Sequence, residues 1–432
     1  EAKLGAARRA LEHWSRLPLN DRSAHVTEGL RRFRENGEQI ARDITAQMGK
    51  PITQARREVA TMFERAERSI ADAPHALAPD RFDDLPGFVR RIEHAPLGIV
   101  LDIAAWNYPL LIPVNVIVPA LLAGNVVLLK HSAKTPRAGE AFEAAFGALE
   151  VLHLVTNLIL THEQTARVIG DRRIEHVAFT GSVEGGYEVY KAVSNRIIDV
   201  GLELGGKDPA YVAADADLET TVENVVDGAC YNAGQSCCAV ERVYVHQQLY
   251  NAFVEKAEQV LREYRLGDPM NEQTTMGPLA SRSALDTLER QVQDAVERGA
   301  TVVCGGQRVP DSAGNFFPPT LVTDVPNGAL IMQEESFGPL VPVTRVRDDE
   351  EAIRLMNDTR FGLTASIWTI DPERAERLAA RLNAGTVYQN RCDYLDPALP
   401  WAGWGESGKG STLSRYGFYH LTRRKSIHFR TG

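Results

Sequence analysis

Tyr108 to Leu129 reads YPLLIPVNVIVPALLAGNVVLL, twenty-two residues without a charge. That length would cross a bilayer, but Pro109, Pro113, Asn115, Pro119, Gly124 and Asn125 interrupt it. Gly124-Asn125 reads as a helix stop, and Val126 to Leu129 as a short strand buried on both faces, the kind found in parallel sheets. An apolar helical stretch turning directly into an apolar strand belongs to an α/β interior. Its neighbours agree: Ile99 to Ile103 before it and Val177 to Phe179 after it are strand-like runs separated by amphipathic helical stretches.

Further out, Leu4, Ala7, Leu11 and Trp14 begin a helical periodicity that runs to about residue 75, punctuated by Pro18 and by Gly49-Lys50-Pro51. After about residue 205 the alternation restarts, with Ala210 to Val212, Arg242 to Val245 and Ala300 to Val303 as strand candidates and so a second α/β unit. The segment Pro86 to Pro96 reads as a hairpin, and Lys425 to Phe429 as an edge strand. No repeat of 20 to 50 residues is visible.

The 432 residues suggest two or three domains, and 44% hydrophobic with 24% charged residues is ordinary for a globular protein. A net charge of −9 gives no positive field for nucleic acid or an anionic membrane surface. The five cysteines, Cys230, Cys237, Cys238, Cys304 and Cys392, are too few and too uneven for a disulfide framework, which points to a reducing cytoplasmic setting. The opening Glu1-Ala2-Lys3-Leu4-Gly5 shows no secretory pattern. Gly403 to Gly410 contains a literal G-x-G-x-x-G and a near P-loop, but no strand leads into it and too little chain follows for a βαβ unit. No metal-ligand spacing is present, so no metal is expected.

Two stretches carry chemistry. Asn232-Ala233-Gly234-Gln235-Ser236-Cys237-Cys238 places two thiols after a glycine turn, and Leu202-Glu203-Leu204-Gly205-Gly206-Lys207 places a lone carboxylate at an apolar strand end. A carboxylate there costs free energy unless it has a task or a partner, Lys207 being the nearest. Gly234-Gln235-Ser236-Cys237 and Leu202 to Lys207 resemble the two signatures of the NAD(P)-dependent aldehyde dehydrogenase superfamily. The resemblance extends through Trp106-Asn107-Tyr108-Pro109, Lys130 with Thr135-Pro136, Phe179-Thr180-Gly181-Ser182, Gly267-Asp268-Pro269, Glu334 to Pro339 and Pro400-Trp401-Ala402-Gly403, in order.

The resemblance implies a Rossmann-like cofactor-binding domain over residues 1–84 and 98–205, a second α/β catalytic domain over 206–412, and a small β oligomerisation element from 85–97 and 413–432. It implies Cys237 as nucleophile, Asn107 and the Cys237 backbone N–H as oxyanion donors, and Glu203 as the group that activates water against the thioester. Relatives that pass the acyl group to coenzyme A usually lack this carboxylate, so a free acid is the expected product; acyl transfer to coenzyme A, an esterase-like reaction and a non-enzymatic role are the alternatives. Trp106, Lys130, Ser132, Ala133, Lys134, Gly181, Ser182, Gly205, Glu335 and Phe337 are the implied cofactor contacts. A strand running into Gly181-Ser182 and a helix from about Val183 also suits a pyrophosphate on physical grounds. Where NAD-preferring relatives often carry a glutamate, this chain has Ala133 followed by Lys134, which predicts that NADP is tolerated alongside NAD, or even preferred to it. Tyr108, Asn115, Tyr231, Arg391, Asp393, Leu395 and Trp401 are expected to line the aldehyde tunnel. Arg391 would suit a semialdehyde carboxylate and Asp393 an amino-aldehyde ammonium. Phe146 to Thr161 lacks the glycine and proline turn such relatives usually have, which suggests a trimmed loop. A homodimer or homotetramer is the expected assembly.

Overall fold

The computed structural model describes residues 1–147 and 149–431. Four helices open the chain: α1 (Ala2–Trp14), α2 (Leu19–Glu35), α3 (Gly37–Met48) and α4 (Ile52–Ala76). Gly49 ends α3 at φ 83°, a left-handed cap, and a side chain there would also meet the Pro278 carbonyl oxygen at 2.7 Å. Strands β1 (Asp80–Phe82) and β2 (Phe88–Pro96) follow. The hairpin expected within Pro86 to Pro96 is therefore displaced. From Phe88 to Pro96 that segment is one continuous strand, its hairpin partner β1 lies upstream, and the turn falls before Phe88, where Gly87 takes φ 77°.

The first parallel sheet uses β3 (Ile99–Ile103), β4 (Val126–Lys130), β5 (Val155–Asn157), β6 (Ile174–Thr180) and β7 (Asp199–Glu203), ordered β7-β6-β3-β4-β5, with Gly408–Lys409 antiparallel against β7. Chain order reverses at β3, as in doubly wound folds, so a crevice opens beyond the carboxyl ends of β3 and its neighbours. The uncharged stretch resolves into helix α5 (Leu111–Leu122), eleven of whose residues are buried, the Gly124 turn at φ 91°, and β4. Asn125 is buried because it is used: its Oδ1 accepts from the Gly98 N–H at 2.9 Å and its Nδ2 donates to the Leu421 carbonyl at 2.9 Å. The helix Pro136–Phe146 passes to β5 within 146–161; Ala148, inside that stretch, lies outside the described residues.

The second sheet holds β8 (Asp208–Val212), β9 (Val240–His246), β10 (Thr301–Cys304), β11 (Thr320–Thr323) and β12 (Leu340–Val346), with Thr364–Trp368 and Thr386–Gln389, in the order β10-β11-β12-β9-β8-(364–368)-(386–389). All neighbours in it are parallel except β10 on β11. Each of the two sheets has its own large apolar core. The C-terminal strand Thr422–Arg430 pairs with β2 over nine residues, completing a small sheet with β1. Among the described residues no helix is long and apolar enough to cross a membrane.

Candidate active site

The carboxyl ends of the first sheet collect the residues singled out from sequence. Glu203 ends β7, Asn107 follows β3, Lys130 ends β4, and Gly181-Ser182 follow β6. Facing them is the segment between helix Leu218–Cys230 and β9. There Asn232, Ala233 and Gly234 take φ of 53°, 55° and 71° in succession, a left-handed turn that strains the two non-glycine residues. Gly234 is required twice over, since a Cβ would lie 2.3 Å from the Gly338 carbonyl carbon. Buried Gln235 locks the turn, donating to the Asn232 carbonyl at 3.1 Å and accepting from the Ala280 N–H at 2.9 Å.

Asn107, Glu203 and Cys237 thereby line one cleft of about 360 Å³. Tyr108, Asn115, Tyr231, Asp393, Leu395 and Trp401 line it too. Arg391 does not. Left-handed Asn390 and Asp393, at φ 52° and 45°, bracket it, and its guanidinium stacks 3.4 Å over the exposed Tyr394 ring. Asp393 is not a free anion either. Ser236 Oγ donates to it at 2.8 Å and Cys238 Sγ at 3.1 Å, and burial pushes its carboxyl up to about 6. Cys238 is thus a buried scaffold thiol beside the more accessible Cys237, and all five cysteines are free. Burial also raises the thiols of Cys230, Cys304 and Cys392, while Cys238 is raised first by its hydrogen bond to Cys237 and then by burial.

Glu203 accepts from Thr412 Oγ1 and, at 3.3 Å, from Thr180 Oγ1. Burial raises its pKa, and the two hydroxyls and the nearby Arg65 only partly offset this. Lys207 is not its partner: it is buried against Glu241 at 2.7 Å and donates to Ser336 Oγ at 2.8 Å. Glu241 in turn accepts from the Ser336 and Phe337 N–H groups at 2.8 and 2.9 Å, which pins the Glu335 to Phe337 segment.

That segment belongs to a second cluster. Lys134 Nζ sits 4.4 Å over the Trp106 ring, Trp106 meets Phe337 edge-on at 5.6 Å, and Glu335 accepts from the Gly206 N–H at 3.2 Å. A Cβ at Gly205 would lie 2.3 Å from the Glu335 carboxylate, so a larger residue there would push that carboxylate aside. Burial, with Glu241 nearby, pushes Glu335 up to about 8. Ser182 caps the helix Val183–Val193, accepting from the Gly185 N–H. Ser132 accepts from the Lys134 N–H at 3.3 Å and Ala133 is exposed. Neither Lys130 nor Lys134 has a carboxylate within ion-pair distance among the described residues, and burial lowers both pKa values. The aromatic ledge under Lys134, the cation at the end of β4 and the helix N-terminus at Ser182 all follow strands of the first sheet at their carboxyl ends.

Sequence reasoning missed Lys50, Glu58, Arg65 and Asn232. Lys50 is buried, paired with Glu58, and donates to the Asn107 carbonyl at 2.8 Å; Asn232 Nδ2 donates to the same carbonyl at 3.2 Å. Glu58 also accepts from the Leu110 N–H at 2.9 Å. Asn107 is therefore held by its main chain, while its amide donates one N–H to the Gln235 carbonyl at 3.2 Å. Arg65 lines the cleft, 6% exposed, with Asn115 Oδ1 at 3.4 Å and no partner for its Nε. The available signal was a charge on the apolar stripe of α4, where Glu58, Met62 and Arg65 recur at helical spacing.

A strained turn presenting a thiol, an amide donor beside it and a buried carboxylate across the same cleft form a site for covalent acyl chemistry. Comparison with known proteins points the same way. The family model described as "Aldehyde dehydrogenase family" matches residues 1–427. A succinate-semialdehyde dehydrogenase [NADP(+)] of Deinococcus radiodurans is 37% identical over 427 residues, covering 99% of this chain and 89% of that protein. A succinate semialdehyde dehydrogenase [NAD(P)+] of Escherichia coli K12 is 33% identical over 432 residues, covering 99% and 92%. The crystal structure of lactaldehyde dehydrogenase from Escherichia coli superposes with a TM-score of 0.95 at 32% identity, covering 99% of this chain and 90% of that one. With the whole-chain match and the cleft in agreement, the chain belongs to the aldehyde dehydrogenase family.

Proposed function

We propose that this protein oxidises an aldehyde bearing a distal carboxylate to the corresponding acid, with NADP or NAD as hydride acceptor. The observation that carries the reading is that Cys237, Asn107 and Glu203, from three separate segments, line one cleft. Cys237 sulfur adds to the aldehyde carbon, and the Asn107 amide with the Cys237 N–H stabilises the oxyanion. When bound, the nicotinamide cofactor takes the hydride. Glu203 then removes a proton from water as the water adds to the thioester, and the thiolate leaves. Two protons are released per aldehyde oxidised.

The carboxylate follows from Arg65. Among the described residues this buried guanidinium has no ion-paired carboxylate, which is costly, and an anionic ligand beside Asn115 would relieve that cost. Relatives named for succinate semialdehyde support the same class. Lys130, Lys134, Trp106, Gly181, Ser182, Glu335 and Phe337 would hold the cofactor, and the lack of an ion-paired carboxylate at either lysine among the described residues supports tolerance of NADP. On this reading residues 1–84 and 98–205 bind cofactor and 206–412 complete the catalytic site. Residues 85–97 and 413–432 pair subunits into a homodimer or homotetramer through the sheet carrying exposed Phe82, Val89 and Phe429. Free thiols suit a cytoplasmic location.

The test is reduction of NADP and NAD with succinate semialdehyde and butanal. Cys237→Ala is expected to abolish turnover, and Asn107→Ala to raise the barrier by about 2.7–4 kcal/mol. Undiminished oxidation by Cys237→Ala would overturn the mechanism. Product that forms only with coenzyme A present would overturn the assignment of water as acceptor.

A further inference from the structure

Cys237 occupies the first corner of a turn closed by the Ala239 N–H, which donates to the Ser236 carbonyl at 3.3 Å. One main-chain bond is a weak restraint on a reacting group, whose misplacement by about 1 Å can cost roughly 10²-fold in rate. The side chains on either side of Cys237 supply a second restraint. Ser236 and Cys238, both buried, converge on a single atom: Ser236 Oγ donates to Asp393 Oδ1 at 2.8 Å and Cys238 Sγ donates to the same oxygen at 3.1 Å. The two donors stand 3.6 Å apart, so the carboxylate oxygen closes a small ring across the back of the turn.

Asp393 is itself held in place. Its φ of 45° is one that a non-glycine residue keeps only where its surroundings enforce it. Those surroundings act on its neighbours in sequence. Cys392 Sγ donates to the Asn224 carbonyl at 3.3 Å and packs on helix Leu218–Cys230 at Gly228, where a Cβ would lie 2.5 Å from that sulfur. The Tyr394 carbonyl accepts from the Tyr388 hydroxyl. At the base of the loop, Asn390 Nδ2 donates to the Thr369 carbonyl at 2.9 Å and its Oδ1 accepts from the Thr369 N–H at 3.0 Å. Both flanks of Asp393 are tethered to the scaffold, and Asp393 in turn tethers both flanks of Cys237.

We propose that Asp393 is a positioning residue for the nucleophile: by accepting from Ser236 and Cys238 together it sets the direction of the Cys237 sulfur and couples that direction to the cleft-lining loop that also carries Leu395. The inference rests on the proposed reaction. Asp393 gains no proton and loses none in any step; it acts through the two residues that donate to it. Cys238 has one S–H, and committing it to Asp393 keeps that proton away from the adjacent sulfur, so Cys237 is the thiol left free to attack. A carboxylate in the wall of the cleft is explained by this task without an ammonium on the substrate.

The experiment follows the first equivalent of reduced cofactor by stopped flow with saturating succinate semialdehyde and NADP, alongside the steady-state KM for the aldehyde. Asp393→Ala is expected to slow that first equivalent about 100-fold, with KM changed by less than about threefold. Ser236→Ala and Cys238→Ala each remove one donor and little volume, and each should slow it about 5- to 10-fold in the parent and no further in an Asp393→Ala background. Asp393→Asn and Cys238→Ser, which keep an acceptor and a donor, should recover most of what the alanine variants lose. Thermal melting checks that each variant is folded. A loss confined to KM, full additivity in the double variants, or no recovery by either conservative variant would reduce Asp393 to scaffold and overturn the proposal. Should Asp393→Ala not fold, Ser236→Ala and Cys238→Ala decide, and parent rates in both would overturn it. A parent protein that reduces no cofactor would overturn the reaction itself and this role with it.

Discussion

Two buried cations stand beside helix α4 and are treated in opposite ways. Lys50 has the Glu58 carboxylate, the Asn107 carbonyl at 2.8 Å and the Tyr108 ring at 4.0 Å, so every side of its ammonium is used. Arg65, lining the cleft, has one long contact to an amide oxygen and a partnerless Nε. Desolvation lowers both pKa values. A charge whose partners are all internal is scaffold, and here it fixes the backbone of Asn107, the proposed oxyanion donor. A charge left open toward a cavity is available to a ligand.

Breaking the held pair should have the largest effect. Lys50→Met strands a buried carboxylate and is expected to cost about 3–5 kcal/mol of stability, read as a lowered denaturant midpoint, with activity lost as Asn107 shifts. Removing the open cation should do the reverse. Arg65→Met is expected to leave the midpoint unchanged or raised while lowering kcat/KM for succinate semialdehyde about 10- to 150-fold, the size of a charged hydrogen bond of about 1.5–3 kcal/mol. Butanal should change little, and equal losses on both substrates would reduce Arg65 to scaffold.

Giving an open cation a partner is a milder intervention. Ala133→Glu places a carboxylate near Lys130 and Lys134 and should weaken NADP relative to NAD by about tenfold in KM, about the effect of one charge interaction of ~1.4 kcal/mol. The smallest effect concerns Asp208, buried near Arg242 and accepting from Thr364 Oγ1 at 2.6 Å, which burial pushes up to about 8. Its folded pKa lies above the unfolded value, so the folded state binds the extra proton; stability is full below the unfolded pKa and is lost as pH rises through about 8. Asp208→Asn should flatten the decline of melting temperature between about pH 4 and 8.

The same contrast explains what was legible in the sequence. The Gly124-Asn125 stop and strand β4 could be read because local propensity and burial agree there. The hairpin was misplaced because Phe88 to Pro96 looks the same whether its partner lies ahead of it or behind. That Cys237, Glu203 and Asn107 share one cleft could be anticipated from their motifs. Lys50 and Arg65 could not be anticipated, because helical periodicity records which face is covered and not what a charge on that face meets across the interior. Arg391 failed for a related reason: its position in sequence is beside the cleft, but two left-handed residues, Asn390 and Asp393, turn it away.

The left-handed turn at Gly234 has one more consequence. It packs main chain against main chain, Gly234 on Gly338, so the sulfur-bearing loop and the Glu335 to Phe337 segment proposed to hold the cofactor form one joint. On the proposed reading, the gap across which hydride jumps is set by that joint, and ordinary side-chain drift elsewhere in the cleft can retune which aldehyde enters without altering how close the two reacting carbons come.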